Sequence, residues 1–275
     1  MKPEISRDTR LCMSLAGRPG NFGTRLHNHL YQALGLDYVY KAFTTTDLPA
    51  AIGGVRALGI RGCAVSMPFK EACIPLLDEL KPSAARLQSV NTIVNEGGRL
   101  VAHNTDYVAV AALLAAHGVA RSTRFVLRGS GGMARAVLAA LVDHGLQGTV
   151  VARNARAGRA VAALHGLPWQ AELGGAGEAD GALLVNATPL GMAGGAEAAA
   201  QAFPDDWIAR ATCVFDVVAL PPETPLLRAA RRLGRPVIGG DEVSVLQAVE
   251  QFVLYTGVRP DAAQIAAAAA HARAG

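Results

Sequence analysis

The chain has 275 residues, is about half hydrophobic and only 17% charged, and carries a formal net charge of +4. That excludes a disordered chain and leaves room for two domains rather than one core. Basic residues are scattered without a polybasic tail, which argues against a nucleic-acid partner. No apolar run reaches membrane-span length and the N-terminus has no signal-like core, so no membrane partner and a cytoplasmic location are expected. Cys12, Cys63, Cys73 and Cys213 lack CxxC spacing and read as buried thiols.

Over the first hundred residues short strands alternate with helices. Strands are expected at Arg10–Leu15, Tyr38–Phe43, Gly62–Ser66, Val90–Val94 and Leu100–Ala102, and helices near Thr24–Leu34, Leu48–Leu58, Lys70–Leu80 and Pro82–Leu87. This alternation predicts an α/β layer with a largely parallel sheet. A second unit starts after Asp106, with a helix over Tyr107–His117 stopped by Gly118. Strands then follow at Arg124–Arg128, Gly148–Ala152, Ala182–Asn186, Cys213–Val218 and Pro236–Ile238, with helices at Ala134–His144 and Ala155–His165. A βαβ series of this size suits a Rossmann-type dinucleotide-binding domain. The amphipathic stretch Val243–Tyr255, with Val245, Leu246, Val249, Phe252 and Val253 on one face, is expected to return to the first domain and make it discontinuous.

Between strand and helix lies Gly129-Ser130-Gly131-Gly132-Met133-Ala134. Gly129 permits the tight turn, Gly131 lets the backbone approach a pyrophosphate, and the helix start points free N–H groups at it. The next strand ends in Arg153-Asn154-Ala155-Arg156, with Arg159 one turn on. Where an NAD site has a carboxylate for the ribose 2′-OH, guanidinium groups stand here, and no carboxylate is evident to repel a 2′-phosphate. NADP is therefore expected as cofactor.

In Ala64-Val65-Ser66-Met67-Pro68-Phe69-Lys70-Glu71 a buried strand runs into a helix. A cation on the first turn opposes the helix dipole, so Lys70 has no obvious structural reason to be there. A lysine so placed suits proton transfer. Asp106, in Asn104-Thr105-Asp106, reads either as a helix cap or as a functional carboxylate. The seven histidines form no metal-ligand cluster, and no metal site is expected.

Several ordered motifs make the chain resemble the shikimate dehydrogenase family over nearly its whole length. Val65-Ser66-Met67-Pro68-Phe69-Lys70 resembles the NVTxPxK segment with its catalytic lysine, and Asn104-Thr105-Asp106 the NTD motif whose Asp pairs with it. Val90-Asn91-Thr92-Ile93 resembles the substrate-contacting VNT segment. Gly129-Ser130-Gly131-Gly132 resembles GAGG, and Ala152-Arg153-Asn154 the NRT motif for the NADP phosphate. Asn186-Ala187-Thr188-Pro189-Leu190-Gly191-Met192 resembles NATSxGM beside the cofactor. Gln247, seven residues after Gly240, matches a Gln that contacts substrate.

The resemblance implies two domains, an α/β substrate domain (1–106 plus 241–275) and an NADP-binding Rossmann domain (107–240), with a cleft between them. It implies an oxidoreductase interconverting shikimate and 3-dehydroshikimate with NADP, in aromatic amino acid biosynthesis, as a monomer or homodimer. Lys70 and Asp106 would handle the hydroxyl proton. Ser66, Asn91, Asn104 and Gln247 would hold the substrate. The cofactor would lie against Gly129 to Ala134, Arg153, Asn154, Arg156, Asn186, Ala187, Thr188, Val217 and Gly240.

Three departures place the chain nearest a divergent shikimate-dehydrogenase-like subgroup. The family's SxS pair, which holds the substrate carboxylate, is replaced by Gly17-Arg18-Pro19-Gly20-Asn21-Phe22-Gly23-Thr24, where Asn21 and Thr24 are the substitute donors. An expected Asn is Ala64, and an expected Tyr is Ala219. A donor lost opposite a carboxylate costs about 1.5–3 kcal/mol, which implies slow or altered use of shikimate. The competing expectations are a dehydrogenase of a related cyclic hydroxy acid such as quinate, and a catalytically weak domain that senses NADP(H) or a metabolite.

Overall fold

A computed structural model describes residues 4–274 of the chain. The chain divides into two compact units, Met1–Thr105 with Val245–Gly275, and Asp106–Ser244.

In the first unit the order is β1 (Arg10–Leu15), α1 (Phe22–Ala33), β2 (Tyr38–Phe43), α2 (Leu48–Ala57), β3 (Gly62–Val65), α3 (Phe69–Ala72), β4 (Glu79–Leu80), α4 (Pro82–Leu87), β5 (Thr92–Glu96) and β6 (Arg99–His103). The six strands form one sheet in the order β2-β1-β3-β5-β6-β4. Most of its pairings are parallel, as expected, and the exceptions lie at β5. β1 pairs parallel with β2 and β3, whereas β5 is antiparallel to both β3 and β6. The β5–β6 pairing is set locally: Gly97 and Gly98, with φ of 64° and 97°, close that hairpin in a conformation that side chains resist.

The helix expected over Lys70–Leu80 is also shorter. Pro75 cannot donate inside a helix, so the chain leaves α3, makes a 3₁₀ turn at Ile74–Leu76 and ends in β4. Side chains alternate across the sheet as a period of two demands. Met13 and Leu15 face a cluster with Ile52, Val55 and Val65. Cys12, Tyr38 and Tyr40 face another with Leu26, Leu30, Tyr31, Phe252 and Tyr255.

The second unit runs through α5 (Thr105–Ala116, starting one residue before it), β7 (Arg124–Arg128), α6 (Gly132–Asp143), β8 (Gln147–Val151), α7 (Ala155–Ala163), β9 (Trp169–Gln170), β10 (Leu183–Asn186), α8 (Asp205–Arg210), β11 (Cys213–Asp216), α9 (Pro225–Arg232) and β12 (Val237–Gly239). Its sheet is parallel throughout, in the order β12-β11-β10-β7-β8-β9. Val126, Val151, Leu184 and Val214 pack one face against Trp207, Ile208, Leu226 and Leu227 of α8 and α9. Thr224 caps α9 by accepting from Leu227 N at 3.1 Å, with Pro225 at the first turn.

α10 (Gly240–Thr256) carries the chain back, and α11 (Ala262–Arg273) ends it. From Val245 onward α10 belongs to the first unit, where Ala248, Phe252 and Tyr255 complete the aromatic cluster. α11 starts with a reciprocal capping box between Asp261 and Gln264. All four cysteines are buried and free, and burial pushes their thiols up, Cys12 and Cys73 to about 12 and Cys213 to about 11. Among the described residues no helix is long and apolar enough to cross a membrane.

Candidate active site

In the first unit Asn91 is the hub. It is buried at 1% exposure. Its Oδ1 accepts from Thr105 N and from Thr92 Oγ1, both at 2.8 Å. Its Nδ2 donates to Thr105 Oγ1 at 2.9 Å and to Gln247 Oε1 at 3.3 Å. The backbone around it ties in the other candidates. Val90 N donates to Lys70 O at 2.8 Å, and Asn104 Nδ2 donates to Ser89 O at 2.9 Å. One three-residue stretch, Ser89 to Asn91, thus fixes the backbone of Lys70, the Asn104-Thr105 pair that precedes Asp106, and Gln247 on α10. Gln251, one turn further along α10, donates to Asn91 O at 3.2 Å. Sequence reading missed Gln251; its only signal is the spacing of four from Gln247 on a helix.

Lys70 is half-buried on α3 and Asp106 is buried. Ser66, just past β3, is exposed. Asn21 stands at the N-cap position of α1 without a side-chain cap bond and is exposed. Thr24 is placed differently from Asn21. Its hydroxyl is buried without a hydrogen-bond partner, so it faces the interior. Nearby, His27 is fully buried and stacks on Tyr40 at 4.3 Å. Burial pushes its imidazole down to about 3, beside Gln251, so it stays neutral and serves the core.

In the second unit the glycine turn joins β7 to α6. Gly129 has φ of 134°, and a Cβ there would meet Ala187 O at 2.6 Å. The turn therefore lies directly against the segment after β10. Gly131 has open space where a Cβ would stand, and Gly132 begins α6, with Ser130 and Met133 half-buried and Ala134 buried. Those are the conditions for a pyrophosphate over a helix N-terminus.

Below the turn Asn186 is fully buried. It donates to Asp216 Oδ1 at 2.9 Å and accepts from Thr188 N at 3.1 Å and Thr188 Oγ1 at 2.6 Å. Asp216 also accepts from Thr224 Oγ1 at 2.7 Å and Val218 N at 3.1 Å. Burial pushes its carboxyl up to about 6 against these three donors. This network shapes the Ala187–Thr188 turn and the chain at Val217. Gly240 is buried at the start of α10, close under the Val217 carbonyl.

The arginines at the end of β8 take different places. Arg159 lies over the Trp169 ring at 4.6 Å and acts as packing. Arg156 is exposed. Asn154 caps α7 by accepting from Ala157 N at 3.0 Å. Arg153 makes a two-pronged pair with Glu197, Nη1 to Oε1 at 3.3 Å and Nη2 to Oε2 at 3.2 Å. The expectation that no carboxylate lies near this position is therefore corrected. Glu197 is 44 residues away in sequence, beyond the reach of any local pattern. Arg128, at the end of β7, was also missed. It is half-buried and donates to Ala202 O, and burial followed by the charge of Arg153 pushes its guanidinium down. The available signal was a charge ending an otherwise apolar strand, directly before Gly129.

A family profile described as the shikimate dehydrogenase substrate binding domain matches residues 22–93. A shikimate dehydrogenase-like protein of Haemophilus influenzae is 53% identical over 98% of both chains. An NADP(+) shikimate dehydrogenase of Moorella thermoacetica is 39% identical over 89% of this chain and 88% of its own. The solved shikimate 5-dehydrogenase of Thermus thermophilus, in complex with NADP(H) and shikimate, superposes with a TM-score of 0.84 at 31% identity, over 95% of this chain and 99% of its own.

Proposed function

The chain belongs to the shikimate dehydrogenase family, and from that premise we propose that it is an NADP-dependent oxidoreductase interconverting shikimate and 3-dehydroshikimate. Oxidising the alcohol removes a hydride from the carbon and a proton from its hydroxyl oxygen. NADP, when bound, supplies the hydride acceptor. The chain's own residues hold the ring and move the proton.

Lys70 and Asp106 are assigned to the hydroxyl proton. Asn91, Asn104 and Gln247, with the exposed Ser66 hydroxyl, hold the ring hydroxyls. Asn21 is the donor left for the substrate carboxylate where the family's serines are missing, since the Thr24 hydroxyl faces inward. The residues fit NADP. The open space at Gly131 and the start of α6 suit a pyrophosphate, and Arg153 with Arg128 suits a 2′-phosphate.

The observation that carries this reading is the Ser89–Asn91 hub. It holds the backbones of Lys70 and Thr105, and the side chains of Asn104 and Gln247, through bonds that reach 156 residues along the chain. Chemistry at one carbon requires groups held to within fractions of an ångström. The test is turnover of purified protein with shikimate and NADP, followed as NADPH absorbance. Slow turnover is expected, with NADP preferred over NAD. No NADPH at high enzyme concentration would reject the substrate assignment.

A further inference from the structure

Between Asn186 and Asp205 the sequence carries a single charge, Glu197, in a run rich in alanine and glycine. That one carboxylate sits on Arg153 in the fork-to-fork geometry that a phosphate would use. The placement is built by the backbone. Gly191 N and Ala200 N both donate to Glu197 O at 3.0 Å, which holds residue 197 beside the end of β8. Arg128 and Arg153 stand at the carboxyl ends of adjacent parallel strands, where Gly129 N donates to Val151 O at 2.9 Å. Two guanidinium groups and one carboxylate therefore share the place assigned to a 2′-phosphate.

We propose that Glu197 is a specificity-determining residue that competes with the cofactor's 2′-phosphate for Arg153 and so narrows the preference for NADP over NAD. This rests on the cofactor reading above. For a 2′-phosphate to bind Arg153, the Glu197 side chain must swing away, while its fixed backbone keeps the negative charge close. A free 2′-OH makes no such demand; it can donate to the carboxylate where it stands. The pair is exposed, Arg153 at 73% and Glu197 at 45% of the side chain, so the displacement is cheap and the effect is a graded one.

The test is fluorescence titration of NADPH and NADH against the full-length wild type, Glu197→Gln, Arg153→Ala and the double variant, with melting temperatures recorded for each. Glu197→Gln is expected to tighten NADPH about three- to fivefold and to move NADH less than about twofold. In the Arg153→Ala background the same substitution is expected to change NADPH binding by less than about twofold. Unchanged or weaker NADPH binding in Glu197→Gln, at an unaltered melting temperature, overturns the proposal and makes Glu197 a support for Arg153. If Arg153→Ala alone leaves the NADPH-to-NADH ratio unchanged, the phosphate reading of Arg153 falls, and the proposal falls with it.

Discussion

Asn91 in the first unit and Arg153 in the second illustrate two ways to hold a side chain to which a function is assigned. Asn91 is buried, makes four side-chain bonds, and draws partners from β5, α5 and α10. Arg153 is mostly exposed, and it pairs with one carboxylate on an alanine-rich loop. The buried hub allows little motion, because each lost bond leaves a polar group unpaired away from water. The exposed pair exchanges partners at small cost. The contrast matches the tasks assigned to the two units. Proton and hydride transfer needs fixed geometry, whereas choosing between two cofactors needs only a modest difference in affinity.

The comparison can be broken most directly at Lys70. Lys70→Ala is expected to lower turnover by roughly two to four orders of magnitude while NADPH binding stays intact. Steady-state rates with a parallel NADPH titration check this, and unchanged turnover would remove Lys70 from the chemistry. Asn91→Ala is expected to cost about 2–4 kcal/mol of stability, since it strands Thr105 N and several side chains. Urea unfolding measures it, and a loss under about 0.5 kcal/mol would show that the hub contributes little to holding this unit together.

Asp216 tests whether the second unit also has a rigid interior. Its folded carboxyl lies near 6, above the ordinary 3.8. The folded protein thus binds the extra proton between those values. The stability gained by protonation is complete below about 3.8 and is lost as pH rises through about 6, on the order of 3 kcal/mol. Asp216→Asn should flatten that part of the stability–pH curve relative to wild type, and identical curves would place the carboxyl elsewhere. The smallest effect is at the exposed pair. Arg153→Ala is expected to shift the NADP-to-NAD ratio of kcat/KM toward NAD by about tenfold, with the unfolding midpoint nearly unchanged.

Much of the fold was legible because its signals are local. β1, β2 and β7 occupy the stretches that alternation marks, and the glycine turn lies between strand and helix as its spacing requires. The short strands β4 and β9 have two residues each, too few for a period to register. α9 has local start signals in Thr224 and Pro225 and separates its leucines from its arginines clearly, so its pattern was there to be read; α11 has its capping box, but its alanine-rich composition masks the amphipathic pattern. The parallel majority of the first sheet was legible, whereas the antiparallel turn of β5 was not, because the glycine pair that sets the hairpin lies between two strands already assigned to the layer.

The sequence by itself determined the α/β class, the glycine turn between strand and helix, the family, and Lys70 and Asp106 as the residues to watch. Each of these is written in contiguous residues, where backbone geometry and side-chain spacing act over one or two turns. Only the tertiary structure decided that Asn91 joins Gln247 across 156 residues, that Thr24 turns its hydroxyl inward, and that Glu197 lies on Arg153. Those pairings depend on how strands and returning helices pack, and no local spacing encodes a contact that the chain makes only after it has folded back on itself.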